Sequence, residues 1–192
     1  RRKPTSSACT IFTTPDTTLC RDSFILFTST VTGGSASQYY WHSSGISADS
    51  SADTYLDTFH FTGIYSIRLI IRDQNDCFDT AIRDNYILVA KPVAHFTVSP
   101  ATGCWPLTTT FTNTSTDVPG TFYTNFVWAF GDGGGATTTA SSIAHTFTLA
   151  GTFTTTMTVT DNIGCKDTVS LPLVTVYKPV ASFTESTVHP CL

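Results

Sequence analysis

Apolar and polar residues alternate along this chain in short runs, and the alternation has a period of two. Phe153, Thr155, Met157 and Val159 face away from Thr154, Thr156, Thr158 and Thr160, the pattern of a strand with one buried and one wet face. The same reading predicts strands over Ala94–Val98, Leu107–Asn113, Phe122–Phe130, Ile143–Phe147 and Thr168–Tyr177. Leu107, Thr109 and Phe111 share one face of the second of these. Turns fall at Pro100–Pro106, which carries Cys104, at Asp117–Gly120, and at Asp161–Gly164. Gly131–Gly135 is read as a tight turn, since Asp132 and its glycines tolerate left-handed backbone. Upstream, the strongest strands are Phe24–Phe27, Tyr39–Trp41, Tyr65–Ile71 and Tyr86–Val89. Tyr65–Ile71 alternates less cleanly, which predicts a partly covered outer face. Short strands separated by frequent turns predict an all-β fold of tandem Ig-like Greek-key β-sandwiches, with seven strands in each.

The pattern also repeats. Lys91-Pro92-Val93-Ala94-His95-Phe96-Thr97 returns as Lys178-Pro179-Val180-Ala181-Ser182-Phe183-Thr184, and Cys104 returns as Cys191. Looking backwards, Phe12, Cys20, Phe27, Trp41, Gly63, Asp73 and Cys77 match Phe96, Cys104, Phe111, Trp128, Gly151, Asp161 and Cys165. The landmarks recur about every 87 residues, the signature of a repeated unit. The expected organisation is a linker or the end of a preceding repeat at 1–8, one domain at 9–92, a second at 93–179, and the first strand of a third at 180–192. The 192 residues are accordingly expected to be part of a longer or processed chain, with 180–192 entering either a further repeat or a neighbouring subunit. Pro92 and Pro179 fix φ and push the preceding lysines into extended backbone, so the junctions are expected to be stiff and the array rod-like.

Composition adds exclusions. Charged residues are 12% of the chain and the net charge is −4, with no basic patch of the kind nucleic acid requires. No apolar run is long enough to span a membrane. Of six cysteines, all but Cys9, which has Val93 at the equivalent place, fall at matched places, which suggests an oxidising, extracellular compartment. Matched spacing predicts one disulfide per domain, Cys20–Cys77 and Cys104–Cys165, with buried free thiols as the alternative. Cys9 and Cys191 are then left over for an interdomain or intersubunit bond. No Cys-x-x-Cys or nearby His pair suggests zinc.

Several segments resemble the polycystic kidney disease (PKD) domain: Trp128-Ala-Phe-Gly-Asp-Gly133, His145-Thr-Phe147, Gly151-Thr-Phe153 and Val159-Thr-Asp161-Asn-Ile-Gly164. The earlier copy keeps Trp41, Phe59, Gly63, Tyr65 and Asp73, but has Ser43-Ser44 for the Phe-Gly of that pattern and Asp57 for its His. The style of the cysteine-bearing turns is similar to PKD arrays of Bacteroidota surface proteins, commonly exported by the type IX system. The resemblance implies an extracellular structural, adhesive or spacer role without catalysis, and neighbouring repeats, identical subunits or surface glycans as partners.

Candidate chemistry is sparse. Trp41 and Trp128 are read as core residues. Trp105, in a Gly-Cys-Trp-Pro turn, is expected to pack beside a disulfide, with sugar stacking as the alternative. Asp132 and Asp161 suit local backbone hydrogen bonds in turns, and His145 a hydrogen bond at the sandwich edge. No cofactor is expected. Calcium between domains is the alternative, though no Asp ladder of EF-hand type is present. The nucleophile, metalloprotease and phosphate-loop motifs are absent, which points away from an enzyme. Asp16-Thr17-Thr18, Asp79-Thr80-Ala81 and Asp167-Thr168-Val169 look like the Asp-Ser/Thr-aliphatic O-glycan acceptor of Bacteroidota, giving Thr17, Thr80 and Thr168 as candidate sites. The alternative to a fibre segment is a carbohydrate-binding spacer attached to a secreted hydrolase, which would need a planar row of exposed aromatics.

Overall fold

The computed structural model describes residues 9–14, 17–43, 46–50 and 52–185, with the backbone alone at 9–10 and 46–50. The segment 1–8, Cys191, the side chain of Cys9 and residues 186–192 of the strand expected at 180–192 therefore lie outside the described residues, and 180–185 form no strand. The chain is all-β, with 65% strand and no helix among the described residues. β-Branched and aromatic residues with turn-forming Gly, Pro, Asn and Asp between them account for this.

Two sets of sheets form in order. The first comprises β1 (Cys9–Thr13), β2 (Thr18–Cys20), β3 (Phe24–Thr32), β4 (Ala36–Ser43), β5 (Ile46–Ser50), β6 (Thr54–Thr58), β7 (Gly63–Asp73) and β8 (Phe78–Ala90). The second comprises β9 (Phe96–Ser99), β10 (Thr102–Cys104), β11 (Leu107–Asn113), β12 (Tyr123–Ala129), β13 (Gly135–Thr138), β14 (Ser142–Phe147), β15 (Gly151–Asp161) and β16 (Lys166–Tyr177). In the first set the sheets run β1-β3-β6 and β2-β8-β7-β4-β5; in the second, β14-β11-β9 and β10-β16-β15-β12-β13. The two sets have the same connectivity, strand for strand. Each has eight strands rather than the expected seven. The alternation announces neither β13, which starts at the Gly135 end of the expected Gly131–Gly135 turn, nor β10, which lies inside the segment read as a Pro100–Pro106 turn and has β2 as its counterpart. β10 and β2 pair parallel with the last strand of their set, Thr102–Cys104 with Thr175–Tyr177 and Thr18–Cys20 with Leu88–Ala90. Three residues give no alternation to read, so only the tertiary pairing reveals them.

Each set closes over aromatic residues. Phe12 meets Trp41 edge-on at 5.5 Å and 73°, and Phe96 meets Trp128 at 5.2 Å and 74°. Trp41 and Trp128 are 0% and 2% exposed. Ser43 and Asp57 are buried where the later copy has Phe130 and His145, and Tyr55 fills the space by stacking on Trp41 at 6.0 Å and 18°. The irregular alternation of Tyr65–Ile71 corresponds to a β-bulge between Tyr65 and Ile67, with Ile67, Leu69 and Ile71 all inward. Thr-rich outer faces are tied by hydroxyl pairs across strands, Thr156–Ser170 at 2.6 Å and Thr158–Thr168 at 2.8 Å among them.

By packing, the chain divides into two compact units: the residues up to Val93 with Ser115–Asn125 and Val159–Asp167, and Ala94–Thr114 with Phe126–Thr158 and the residues from Thr168 on. In the first unit Pro92 is buried, and Val93 and Thr116 exchange backbone hydrogen bonds of 2.8 and 3.1 Å, which fixes the chain just after the Lys91-Pro92 step.

Candidate functional site

The chemistry of this chain is concentrated in its cysteines and in the aspartate-led turns that place them. At the end of β15, Asp161 Oδ1 accepts the N–H groups of Ile163 (2.9 Å) and Cys165 (2.8 Å), and the Asp161 N–H donates to the Cys165 carbonyl (3.1 Å). At the end of β7 the same arrangement recurs. Asp73 Oδ1 accepts the N–H groups of Asn75 (2.7 Å) and Cys77 (2.9 Å), and the Asp73 N–H donates to the Cys77 carbonyl (3.0 Å). Gly164 takes φ +96° and Asp76 takes φ +60° at the matched step. The Cys77 and Asn75 N–H groups hold the Asp73 carboxyl below its ordinary value. A carboxylate crossing a tight turn this way fixes the cysteine's backbone.

The other cysteine of each set is fixed by parallel pairing. Cys20 lies opposite Ala90, with the Arg21 N–H donating to the Ala90 carbonyl at 2.8 Å. Cys104 lies opposite Tyr177, with the Trp105 N–H donating to the Tyr177 carbonyl at 2.9 Å.

This geometry corrects the expected pairing. Cys20 sits at the C-terminal end of β8, whereas Cys77 immediately precedes β8, a strand of 13 residues. Cys104 and Cys165 are likewise at opposite ends of the 12-residue β16. At about 3.3 Å per residue these strands separate the two cysteines of a set by roughly 40 Å, far beyond the reach of a disulfide. The bond that forms is Cys20–Cys165, within the first packing unit, with Cα atoms 5.4 Å apart. Cys77 and Cys104 carry free, exposed thiols.

The remaining singled-out residues have structural partners. Asp132 Oδ2 pairs with His145 Nε2 at 2.7 Å, its Oδ1 accepts the Gly134 N–H at 2.9 Å, and His145 stacks on Phe130 at 4.0 Å and 8°. Burial opposes the charge on Asp132, but the His145 and Gly134 hydrogen bonds outweigh it and hold the carboxyl below its ordinary value. Trp105 is 43% exposed, and its neighbour Cys104 carries a free thiol rather than a disulfide. Its indole N–H donates to the Thr148 carbonyl, and Lys178 Nζ stands 4.5 Å over its ring. Thr17, Thr80 and Thr168 are exposed, and the Thr168 hydroxyl also pairs with that of Thr158. Val180 and Phe183, on the repeated strand motif, are 83% and 93% exposed.

Sequence reasoning missed one cluster. Asp117 and Asp161 each keep one buried carboxylate oxygen without a hydrogen-bond partner. Burial raises the Asp117 carboxyl and the nearby Asp161 adds to it; burial, Asp117 and Asp161 together push the Tyr123 phenol up to about 12. Nothing in the local pattern marks Asp117 as more than a turn residue, because its neighbour arrives from β15. Among the described residues, no three His, Cys, Asp or Glu side chains gather as a metal cluster would. No helix among them is long and apolar enough to cross a membrane.

Two packed, mainly antiparallel sheets per set, a first strand split between them (β1/β2 and β9/β10) and a buried tryptophan on β4 and β12 define an Ig-like β-sandwich protein. Residues 89–176 match the PKD domain family and form a PKD-type domain. No curated protein matches the chain. Among solved structures, the chain is 27% identical to the PKD1 domain of Vibrio anguillarum Epp, covering 45% of this chain and 96% of that one with a TM-score of 0.38. It is 31% identical to the PKD1 domain of the Vibrio cholerae metalloprotease PrtV, covering 42% and 91% with a TM-score of 0.35. Similarity at 13% identity extends to fibronectin(III)-like modules of Clostridium thermocellum CbhA, over 92% of this chain and 100% of that one with a TM-score of 0.39.

Proposed function

We propose that this chain is a non-catalytic, extracellular structural segment, two tandem PKD-type domains of a surface protein or fibre that assembles linearly. The observation that carries the reading is the Cys20–Cys165 bond. It closes across 145 residues and ties the second copy's turn to the first copy's split strand, so that pulling on the chain loads a covalent link. Such a bond serves load-bearing and not turnover, and it persists outside the reducing cytosol. The polar side chains that would interest an enzymologist, Asp132, His145 and Asp161, are engaged in holding turns.

Glycans on Thr80 and Thr168 belong to the same reading. β2 and β10 pair only with the last residues of β8 and β16, so among the described residues both threonines lie on strand stretches with an open outer edge, which a glycan would shield from pairing. The sugar-binding alternative is weaker, because the exposed face of Trp105 already carries the Lys178 ammonium. Electron microscopy of native surface material tests the proposal: linear arrays with a repeating domain are expected, and dispersed globular particles would refute it.

A further inference from the structure

We infer that Cys104 is the attachment site for a further repeat: its thiol forms a disulfide with the turn cysteine of a set of sheets that opens at Lys178-Pro179 of the same chain. The inference rests on the tandem reading above and not on linear assembly. Its template is the bond already present. Cys20, on a split strand, is joined to Cys165, in the aspartate-led turn of the copy that follows. Cys104 holds the split-strand place in the second copy, and its thiol is exposed and free. The turn cysteine of its own set, Cys165, stands at the far end of β16 and is already bonded.

Cys104 is placed as Cys20 is in three respects. Each lies in parallel register with the last strand of its set, Cys20 opposite Ala90 and Cys104 opposite Tyr177. Each is followed by an N–H that donates to the carbonyl of that same residue, at 2.8 and 2.9 Å. Ala90 and Tyr177 in turn each precede a Lys-Pro step directly, Lys91-Pro92 and Lys178-Pro179. The cysteine is therefore held beside the point where the chain leaves its set. After Lys91-Pro92 the sequence Val93-Ala94-His95-Phe96-Thr97 opens the copy whose turn supplies Cys165. After Lys178-Pro179 the sequence Val180-Ala181-Ser182-Phe183-Thr184 repeats that opening and leads to Cys191, which matches Cys104 itself. Cys191 is thus the split-strand cysteine of the further set and not its turn cysteine. The partner of Cys104 is a cysteine one repeat, about 87 residues, beyond Cys165. An aspartate four residues before it holds it, as Asp73 holds Cys77 and Asp161 holds Cys165.

The chemistry is thiol–disulfide exchange with a small disulfide oxidant, to which the exposed Cys104 is open. The Cys104 thiolate attacks the oxidant, giving a mixed disulfide and releasing one thiol. The partner thiolate attacks the Cys104 sulfur, forming the bond and releasing the second thiol. Two cysteine protons and two electrons end on the two thiols of the reduced oxidant. Because the partner is tethered through Lys178-Pro179, the second step is intramolecular.

Disulfide mapping of the native protein tests this, with iodoacetamide blocking free thiols during unfolding without reductant. The Cys104 peptide is expected to escape alkylation and to be linked to a peptide from beyond residue 192 that carries Asp-x-x-x-Cys. On a non-reducing gel the linked protein should run as a single chain. Cys20–Cys165 in the same digest reports that the two copies are folded. Cys104 alkylated while Cys20–Cys165 is intact would overturn the inference. So would Cys104 bonded to Cys9, Cys77 or Cys191, or Cys104 joining two chains in a species that separates on reduction. A native chain with no further set after Lys178-Pro179, or a digest without Cys20–Cys165, would overturn it by removing its basis. The expected bond in material without linear arrays would uphold the inference and refute the fibre reading, and free Cys104 in linear arrays would do the reverse.

Discussion

Removing the Cys20–Cys165 bond is the most informative perturbation of this fold. The double substitution Cys20→Ser, Cys165→Ser avoids leaving a lone thiol at Cys165, which is buried. The bond closes a loop of 145 residues in the unfolded chain. Chain-entropy arithmetic, 2.1 plus 1.5R ln 145, gives about 17 cal/mol/K, or about 5 kcal/mol at 25 °C. A loss of that size is a large part of the stability of an ordinary domain. Guanidinium unfolding followed by tryptophan fluorescence reads it directly, since Trp41 and Trp128 place one buried reporter in each sheet set. The double variant should unfold at a clearly lower denaturant concentration than the oxidised parent, and the parent in a strong thiol reductant should move to the same midpoint. Cys77→Ser and Cys104→Ser in the isolated chain should each leave the midpoint within about 0.5 kcal/mol of the parent, as expected for exposed surface positions. A double variant as stable as the parent, with either single variant strongly destabilised, would refute the assignment and restore pairing within each set.

Gly131 takes φ +88°, and a Cβ there would come within 2.4 Å of the Thr154 carbonyl oxygen, so Gly131→Ala should cost about 3 kcal/mol. Gly133, at φ +94° with open space around it, should cost only about 1 kcal/mol on the same change; equal losses in thermal melts would contradict the clash. Ultraviolet titration should show one tyrosine ionising near pH 12, Tyr123, and Asp117→Asn should bring it down toward 10.0. Because the fold raises the Asp117 carboxyl, the folded state holds the proton more tightly, and the stability tied to it falls as pH rises from 3.8. Asp117→Asn should therefore stabilise the protein at neutral pH, with the advantage vanishing below pH 3.8. Asp132 has the opposite sign: its lowered pKa gives stability that is present above pH 3.8 and lost as pH falls through the folded value, so Asp132→Asn should weaken the protein at pH 7 and flatten its acid limb. Denaturant midpoints against pH would expose an error in either sign.

The all-β class, the positions of Trp41 and Trp128 and the turns at Asp73, Asp132 and Asp161 follow from residue type and a period of two. These are local properties: a side chain alternates, and a carboxylate reaches its own next two to four backbone N–H groups. Matched landmarks also placed the cysteines correctly at two equivalent sites per copy. Which cysteine meets which was decided only in three dimensions. Spacing along the chain does not show that the last strand of each set carries its two cysteines to opposite ends, and equal spacing fits pairing within a copy as well as between copies. The split strands β2 and β10 are three residues long and owe their existence to a parallel partner about 70 residues away, so no local signal announces them. Asp117 and Asp161 became a pair for the same reason: each is an ordinary turn residue in sequence, and the sandwich brings their carboxyls into one buried place.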